Sequence, residues 1–359
     1  MIDRRGFIAA SASLTGATLL SETILAGARS SYEQAVASSR APLDPGGGLG
    51  ELVRHATLAA NSHNTQPWRF SLRERQIRIA PDFARRCPAV DPDDHHLFAS
   101  LGCALENLVV AAAAAGLNAT PAFADDAITV GLDPAPPVRS PLLDAIPVRQ
   151  STRAAYDGKP APNESLRLLE RAGSGEGVAL VLVTDRTRIT RIADYVAEGN
   201  SAQIRDKAFM GELKSWVRFN EAQAVASMDG LFAPSSGNPA LPPWLARLLL
   251  PFVFTERGEN DKYRAHIQSS AGIAVFVSAR DDKAHWVEAG RACQRFCLQA
   301  TALGLRTAFI NQPVEVPALR PQLQSYLGLG GGRADIVLRF GVGPELPKSL
   351  RRPVAQVIA

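Results

Sequence analysis

The fold is decided by the stretch GCALENLVVAAAAAGLNAT at 102–120, because a second copy of its pattern, GRACQRFCLQATALGLRTA, occurs at 290–308. Each copy has the pattern of a helix rich in small residues that ends at a glycine and leads into a strand. Duplication explains the match better than coincidence between two alanine-rich helices, since the glycine positions also agree. The sequence therefore predicts two similar halves with a site at their seam. The matched positions include Gly102 with Gly290, Gly116 with Gly304 and Leu117 with Leu305.

Short strand patterns flank both helical copies. They include QPWRFSL and AITVGL in the first part of the chain and VALVLVTD and GIAVFVS in the second. These patterns predict strands beside the helices of each half. We therefore expect an α+β protein with a linker at 29–50, a first half at 51–137 and a second half at 138–359. The Pro-rich apolar excursion 232–254 lacks clear helical periodicity and has the composition of a lid.

Size and composition set limits on the function. The chain has 359 residues, of which 46% are hydrophobic and 21% charged, so a sizeable core is possible. A net charge of +4 and an aromatic content of 6%, without a dense Lys/Arg run, do not favour nucleic-acid binding. The four cysteines form no CxxC pair, and we expect them to be buried, unpaired thiols.

The N-terminus resembles an export signal. MIDRRGFIAASASLTGATLLSETILAGARS begins with Arg4-Arg5 and continues with a weakly hydrophobic core to a small-x-small pattern at 26–28. The alternative is an amphipathic helix of the mature protein. We predict a twin-arginine signal at 1–28, and hence a periplasmic or other extracytoplasmic location with no stable membrane insertion after its removal. This pathway carries folded proteins, often with a cofactor already bound.

Three polar clusters lie far apart in the sequence. The first is the loop NSHNTQPWRF at 61–70, where small polar residues precede a strand. The second is VRQSTRAAY, in which alternation places Arg149, Ser151 and Arg153 on one side of an extended segment. The third is the basic segment GPELPKSLRRPVAQV at 343–357. Each basic cluster alone is typical of a solvated surface.

In combination, these clusters resemble the FMN-dependent nitroreductase family, whose members carry an RxSxR segment, a small-polar loop ending in NxQPW and a basic segment near the C-terminus. The order of the motifs and the duplicated halves are similar to the fused, two-halved Acg-type subgroup. The resemblance extends over most of 51–358. It implies a nitroreductase-like fold of two fused homologous halves that form an intramolecular pseudo-dimer with one FMN at the seam.

The resemblance also implies a role for each polar residue. Arg149 is expected beside the N1–C2 edge of the flavin, where positive charge stabilises the reduced ring, and Ser151 and Arg153 at the ribityl chain or phosphate. Arg351 and Arg352 are expected to clamp the phosphate, because a guanidinium binds phosphate in a bidentate manner.

The loop at 61–70 would meet the polar edge of the ring, and the segment FINQPVE at 309–315 would meet its N5 side. No side-chain acid or nucleophile is required, since the flavin carries the hydride chemistry. The complete set of predicted FMN-binding residues is Arg149, Ser151, Arg153, Ser62, His63, Asn64, Gln66, Asn311, Gln312, Arg351 and Arg352.

The function implied is an oxidoreductase in which NAD(P)H delivers hydride to N5 and a small-molecule acceptor, nitroaromatic or quinone-like, then collects it. The alternative is an FMN-storage or sequestering protein with a covered flavin and little turnover. A third possibility is an exported scaffold whose cofactor site has decayed. The assembly is expected to be a monomeric pseudo-dimer or a higher homo-oligomer.

The segment DPDDHHLF at 91–98 has the composition of a metal cluster, with several acids followed by His95 and His96. Acids that cap a helix and exposed imidazoles explain it more simply. We therefore predict no metal site.

Overall fold

The structure, a computed structural model, describes residues 27–359. The predicted signal at 1–28 lies almost entirely outside the described residues, so export by the twin-arginine pathway stays a prediction.

The first described helix, α1 at 27–39, is docked on the rest of the chain. The Tyr32 hydroxyl donates to the carbonyl of Lys348 at 2.7 Å, and its ring centroid lies 5.1 Å from that of Phe232. The prediction of a linker from residue 29 is therefore wrong as far as residue 39. The apolar side of α1 was hidden in the sequence among small and polar residues.

The first sheet has four antiparallel strands in the order β1-β2-β4-β3. Residues on β3 alternate between half-buried and exposed, as expected for an edge strand with one face on the core. Two helices pack on this sheet. The elements are α2 (Gly48–Thr57), β1 (Trp68–Arg73), β2 (Gln76–Pro81), α3 (His95–Ala114), β3 (Leu117–Ala124) and β4 (Ala127–Pro134).

The second sheet is also antiparallel, in the order β5-β8-β10-β9. Its central strands β8 and β10 are buried along their whole length, because helices cover both faces. The elements are β5 (Val178–Val183), β8 (Gly272–Ser278), α11 (Lys283–Ala302), β9 (Arg306–Phe309) and β10 (Arg333–Gly341).

The two sheets repeat one topology. Strand β1 corresponds to β5, β2 to β8, β3 to β9 and β4 to β10, with α3 and α11 in the same place in each half. The glycines that end the two helices also agree, since Gly116 and Gly304 both have a positive φ, of 77° and 74°. The predicted α+β fold with two homologous halves is confirmed.

The halves meet where α3 crosses α11. A Cβ on Gly102 would lie 1.9 Å from the carbonyl oxygen of Val287, and one on Gly290 would lie 1.9 Å from that of Ala99. The duplication makes Val287 the counterpart of Ala99, so these are two copies of the same contact. Such reciprocal contacts are the mark of a two-fold interface. The structure thus has a pseudo-dimer seam inside one chain.

The remaining helices surround the second sheet and connect the halves. They are α4 (Pro141–Val148), α5 (Asn163–Gly173), α6 (Arg186–Arg205), α7 (Lys207–Trp216), α8 (Glu221–Ser227), α9 (Pro243–Val253), α10 (Glu256–Gln268), α12 (Gln312–Glu315) and α13 (Arg320–Leu327); the two-residue strands β6 (Val217–Arg218) and β7 (Leu231–Phe232) pair in parallel.

The excursion 232–254 is not irregular throughout, because its second part forms α9. Trp244, Leu248 and Phe252, spaced four residues apart, are 69%, 60% and 77% exposed on this helix. Its first part is docked, with Phe232 buried against Leu350. The expectation of a non-helical segment is therefore wrong for residues 243–253.

Chain segments after residue 138 also complete the first core. Helix α4 contributes Leu143 and Ile146, and the C-terminal tail contributes Val357, which is 1% exposed. Phe70 of β1 pairs with the tail through an isolated parallel bridge, in which its amide donates to the carbonyl of Val357 at 2.8 Å. All four cysteines are buried and free, as predicted.

Candidate functional site

The loop at 61–66 has an unusual backbone. His63, Asn64 and Gln66 all have a positive φ, of 46°, 53° and 54°. Non-glycine residues in this region cost free energy and are held there by their surroundings, often at functional sites. The loop is therefore held in one shape by contacts that compensate for this cost.

Those contacts come from the second half of the chain. The Asn64 amide donates to the carbonyls of Gly230 and Leu350 at 3.0 and 3.1 Å. The Gln66 amide donates to the carbonyl of Met228, and its oxygen accepts from the amide of Arg352. Gln66 is completely buried with both ends paired. We predicted Gln66 as a cofactor ligand, but the structure uses it to hold the loop.

Residues 228–237, here called the strap, lie across this loop. Besides the bonds to Asn64 and Gln66, the strap carries Asp229, which forms ion pairs with Arg85 and Arg218. At its other end Ser236 accepts a bond from Arg153 at 3.4 Å. The strap thus joins two of the predicted polar clusters.

A cluster of three guanidinium groups lies beside the loop, where α2 ends. Arg149 donates to the carbonyl of Leu58 at 3.1 Å, and Arg351 donates to those of Thr57 and Ala59 at 2.7 and 3.2 Å. Arg149 and Arg351 are 3% and 5% exposed. The third group is Arg40, which donates to the carbonyls of Pro147 and Arg149. We call these three residues the arginine cluster.

Part of this arrangement serves the fold. The last carbonyls of a helix lack partners within the helix, and cations are favoured there by the helix dipole. Arg351 satisfies the carbonyl of Thr57, the last residue of α2, and Arg149 satisfies that of Leu58, the C-cap residue. Burial, together with Arg40 and Arg149, lowers the pKa of Arg351 well below its ordinary value, which measures the cost of holding these charges together.

The cluster also has hydrogen-bond capacity that the protein does not use. In the described part of the chain, none of the three guanidinium groups forms an ion pair, and Nε and Nη1 of Arg149 and Nε of Arg40 are buried without a partner. Buried cations and donors of this kind are costly unless an anion binds them. The residues fit a phosphate group, which matches paired guanidinium donors.

A second group of polar side chains involves His63 of the loop. Burial, helped by the charges of Arg153 and His96, lowers the pKa of His63 to about 4. Burial raises the pKa of Tyr263, while Arg153 and Gln312 oppose the rise. The Oε1 atom of Gln312 is buried without a hydrogen-bond partner. This group contains one cation, neutral polar side chains and a free acceptor, which suits the edge of a polar ring.

Three other predicted residues are engaged with the protein itself. The side-chain oxygen of Asn311 accepts from the amide of Val337 at 2.8 Å, so it anchors β10. Arg352 donates to the carbonyl of Gln66 at 2.7 Å. Ser151 pairs with Thr307 through the main chain. Asn311, which we predicted as a ligand, stabilises the fold in this structure. Arg352 also holds the loop, but its Nε is buried without a partner, so its predicted role as a ligand stays a prediction. Ser62 lies at the loop, where its amide donates to the Ser100 hydroxyl at 3.3 Å.

Sequence reasoning missed several residues near these groups. Arg40 follows a stretch with no motif, so no local signal pointed to it. His95 and His96 were expected to be exposed, but they are 0% and 6% exposed. His95 contacts a buried acid, since its Nε2 lies 3.0 Å from Oδ1 of Asp335. The acid in the same segment does cap α3, since the Asp91 carboxylate accepts from the amides of His96 and Leu97 at 2.9 Å.

No model of a known protein family matches the chain. Two curated proteins of Mycobacterium tuberculosis do. The chain is 29% identical over 318 residues to “Putative NAD(P)H nitroreductase Rv3131”, covering 84% of this chain and 88% of that protein. It is 22% identical to “Putative NAD(P)H nitroreductase acg”, covering 85% and 93%.

Solved structures also match at low similarity. The FMN-dependent nitroreductase NfnB of Mycobacterium smegmatis, in complex with NADPH, is 14% identical over 58% of this chain and 92% of that one, with a TM-score of 0.39. The NADPH:FMN oxidoreductase of Vibrio harveyi, in complex with NAD+, is 15% identical over 59% and 73%, with a TM-score of 0.36. TM-scores this low carry no argument about the fold, which is described above from the two sheets of the chain itself. The resemblance predicted from the motifs is confirmed by the curated proteins: the homologues of this chain are proteins named as putative NAD(P)H nitroreductases, the Acg type among them.

Proposed function

We propose that this protein binds one FMN at the seam between its halves and acts as an oxidoreductase that takes electrons from NAD(P)H and passes them to a small organic acceptor. The observation that carries the proposal is the arginine cluster, where two buried guanidinium groups and a third beside them lack a carboxylate partner. The names of the homologues are consistent with this activity.

In this proposal the phosphate lies on Arg149, Arg351 and Arg40. Arg149 therefore contacts the phosphate rather than the N1–C2 edge, because it shares the end of α2 with Arg351. The ring lies by Arg153, which donates to Ser236 of the strap, and by His63 of the loop. Arg153, instead of Arg149, then supplies the positive charge that stabilises the anionic reduced ring.

The chain's own residues bind and position the cofactor, which supplies the hydride chemistry when bound. The strap keeps the loop in its strained shape and limits the access of water to the ring. His63 is neutral at neutral pH, since its pKa is about 4, and so it adds no second charge beside Arg153.

The first test is the visible absorption spectrum of the full-length protein and of Arg149→Met. Wild-type protein should show oxidised-flavin bands and release FMN on denaturation. The variant should bind FMN about 10- to 100-fold more weakly, because two charge-assisted hydrogen bonds are lost. Arg139→Met is the matched control, as Arg139 is exposed and pairs with Asp144. Equal FMN affinity in both variants would remove the arginine cluster from the site.

A second function is favoured by the strap. It bonds to both Asn64 and Gln66 and closes over the loop, which suits a protein that stores or withholds FMN. Steady oxidation of NAD(P)H in the presence of a nitroaromatic or a quinone separates the two functions. A sequestering protein would keep its flavin oxidised and consume almost no NAD(P)H.

A further inference from the structure

A cavity of about 340 Å³ opens at the start of α3. Its polar lining consists of Asp91, Asp93, His96, Glu315 and Arg320, and prolines contribute its apolar wall. A volume near the lower end of the range for ligand sites fits a single six-membered ring. In the described part of the chain, no group of His, Cys, Asp and Glu has the geometry of a metal site.

Two polar side chains of the cavity, His96 and Glu315, have atoms available to a ligand. Nε2 of His96 is buried without a hydrogen-bond partner, and it lies 3.7 Å from Oε1 of Glu315. That separation is too long for a hydrogen bond. The other oxygen of Glu315 is fixed, because it accepts from the Gln203 amide at 2.6 Å. One ligand oxygen to the side of the line that joins these two atoms would be within hydrogen-bond distance of both.

The cavity also adjoins the residues proposed to meet the ring. Glu315 lies one turn after Gln312 on α12, so both side chains are on the same face of that helix. On the other side, His96 is joined to the loop through Ser100, whose hydroxyl donates to the carbonyl of His96 and accepts from the amide of Ser62. A molecule in the cavity is thus bordered by both ring-facing segments.

We propose that this cavity binds the electron acceptor, and that the acceptor is a monocyclic quinone whose carbonyl oxygen bonds to both His96 and Glu315. The inference rests on the proposed function. The prolines pack against the ring, and the oxygen accepts a hydrogen bond from His96 Nε2–H. The cofactor, once bound and reduced by NAD(P)H, would supply two electrons and one proton to the quinone as a hydride. The quinone takes one further proton from the carboxyl group of Glu315 and leaves as the hydroquinone. Water then restores the proton to Glu315.

The acids of the cavity suit this role. Burial raises the pKa of Glu315 and raises that of Asp91 to about 7, and both shifts favour the protonated carboxyl group over the carboxylate in the cavity. Burial lowers the pKa of His96, which leaves the imidazole neutral and able to donate one hydrogen bond.

The test measures binding and chemistry separately, with 2,6-dimethyl-1,4-benzoquinone as the probe. Isothermal titration of the oxidised protein, without NAD(P)H, gives the affinity. His96→Leu should weaken binding about 10-fold, because a buried hydrogen bond is lost, whereas His96→Gln keeps a donor and should recover most of the affinity. His285→Leu, at the start of α11, is the control and should bind as the wild type does.

Stopped-flow kinetics tests the acid. Glu315→Gln should keep the rate of flavin reduction by NAD(P)H and slow the reoxidation by quinone at least 10-fold, since general acid catalysis contributes about that much or more. Equal quinone affinity in His96→Leu and wild type, equal reoxidation rates in Glu315→Gln and wild type, or no binding to the wild type would each overturn the inference. A wild-type protein without FMN that still binds quinone would instead remove the proposed function and leave the cavity as a quinone site.

Discussion

Among single residues, Arg149 donates through Nη2 to the carbonyl of Leu58, while its Nε and Nη1 have no protein partner. One guanidinium group therefore both completes the end of α2 and offers donors to a ligand. The RxSxR pattern predicted that this residue binds the cofactor, but its position with Arg351 at the end of α2 depends on chain segments about two hundred positions apart. The proposal that Arg149 binds a phosphate rather than a ring edge therefore rests on the tertiary structure.

His63 gives a prediction for the pH dependence of stability. Its pKa is lowered to about 4 by burial and by Arg153 and His96, against an ordinary value of 6.5. Between these values the unfolded chain binds a proton that the folded chain does not, so the free energy of unfolding should fall as the pH drops from 6.5 to 4. His63→Asn removes the titrating group and tolerates the positive φ. Urea unfolding from pH 4 to 7 should show a shallower fall for this variant, and an unchanged slope would contradict the burial of a neutral His63.

At the level of elements, the α3–α11 crossing depends on the absence of side chains at Gly102 and Gly290. We expect Gly102→Ala and Gly290→Ala each to lower the free energy of unfolding by about 3 kcal/mol, because the new Cβ would meet a backbone carbonyl that cannot move alone. The duplication makes the two contacts equivalent, so the two losses should be similar. Urea denaturation measures both.

The matched control is Gly211→Ala. Gly211 also lies within a helix, α7, but a Cβ there would meet no atom within 4 Å. This variant should gain about 0.5–1 kcal/mol, the ordinary difference between alanine and glycine in a helix. A mild effect at Gly102 or Gly290 would mean that the halves meet differently.

For the whole molecule, the C-terminal tail ties the end of the second half to the first sheet. Val357 is 1% exposed in the first core, and the tail continues the main-chain pairing of Phe70 as far as Ala359. We expect Val357→Ala to lower the free energy of unfolding by about 1–3 kcal/mol. Gln356→Ala, at an exposed neighbour, is the control and should have almost no effect.

The tail of the second half completes the core of the first, so we expect the two halves to unfold together. Unfolding of the Val357→Ala variant should then stay a single transition. Fluorescence of the tryptophans and circular dichroism should then report the same midpoint. A separate early transition would show that the first half is stable without the tail.

Local patterns determined the two-halved α+β plan and the three polar clusters. The repeat at 102–120 and 290–308 identified the seam helices, and both pairs of matched glycines have matching roles, one at the crossing and one at the helix ends. Helical periodicity and glycine at special backbone positions are properties of short segments, so they can be read from the sequence.

The tertiary structure alone decided which polar atoms are left for a ligand. Gln66 and Asn311 look like ligands in the sequence but are satisfied by the main chain. In contrast, Arg40, which lies in no motif, and His96, which we expected to be exposed, retain unpaired buried atoms. Whether a buried polar group finds a partner depends on which distant segments pack beside it, and pairing within the chain removes the free-energy gain from binding a ligand. That competition is settled only when the halves, the strap and the tail have come together.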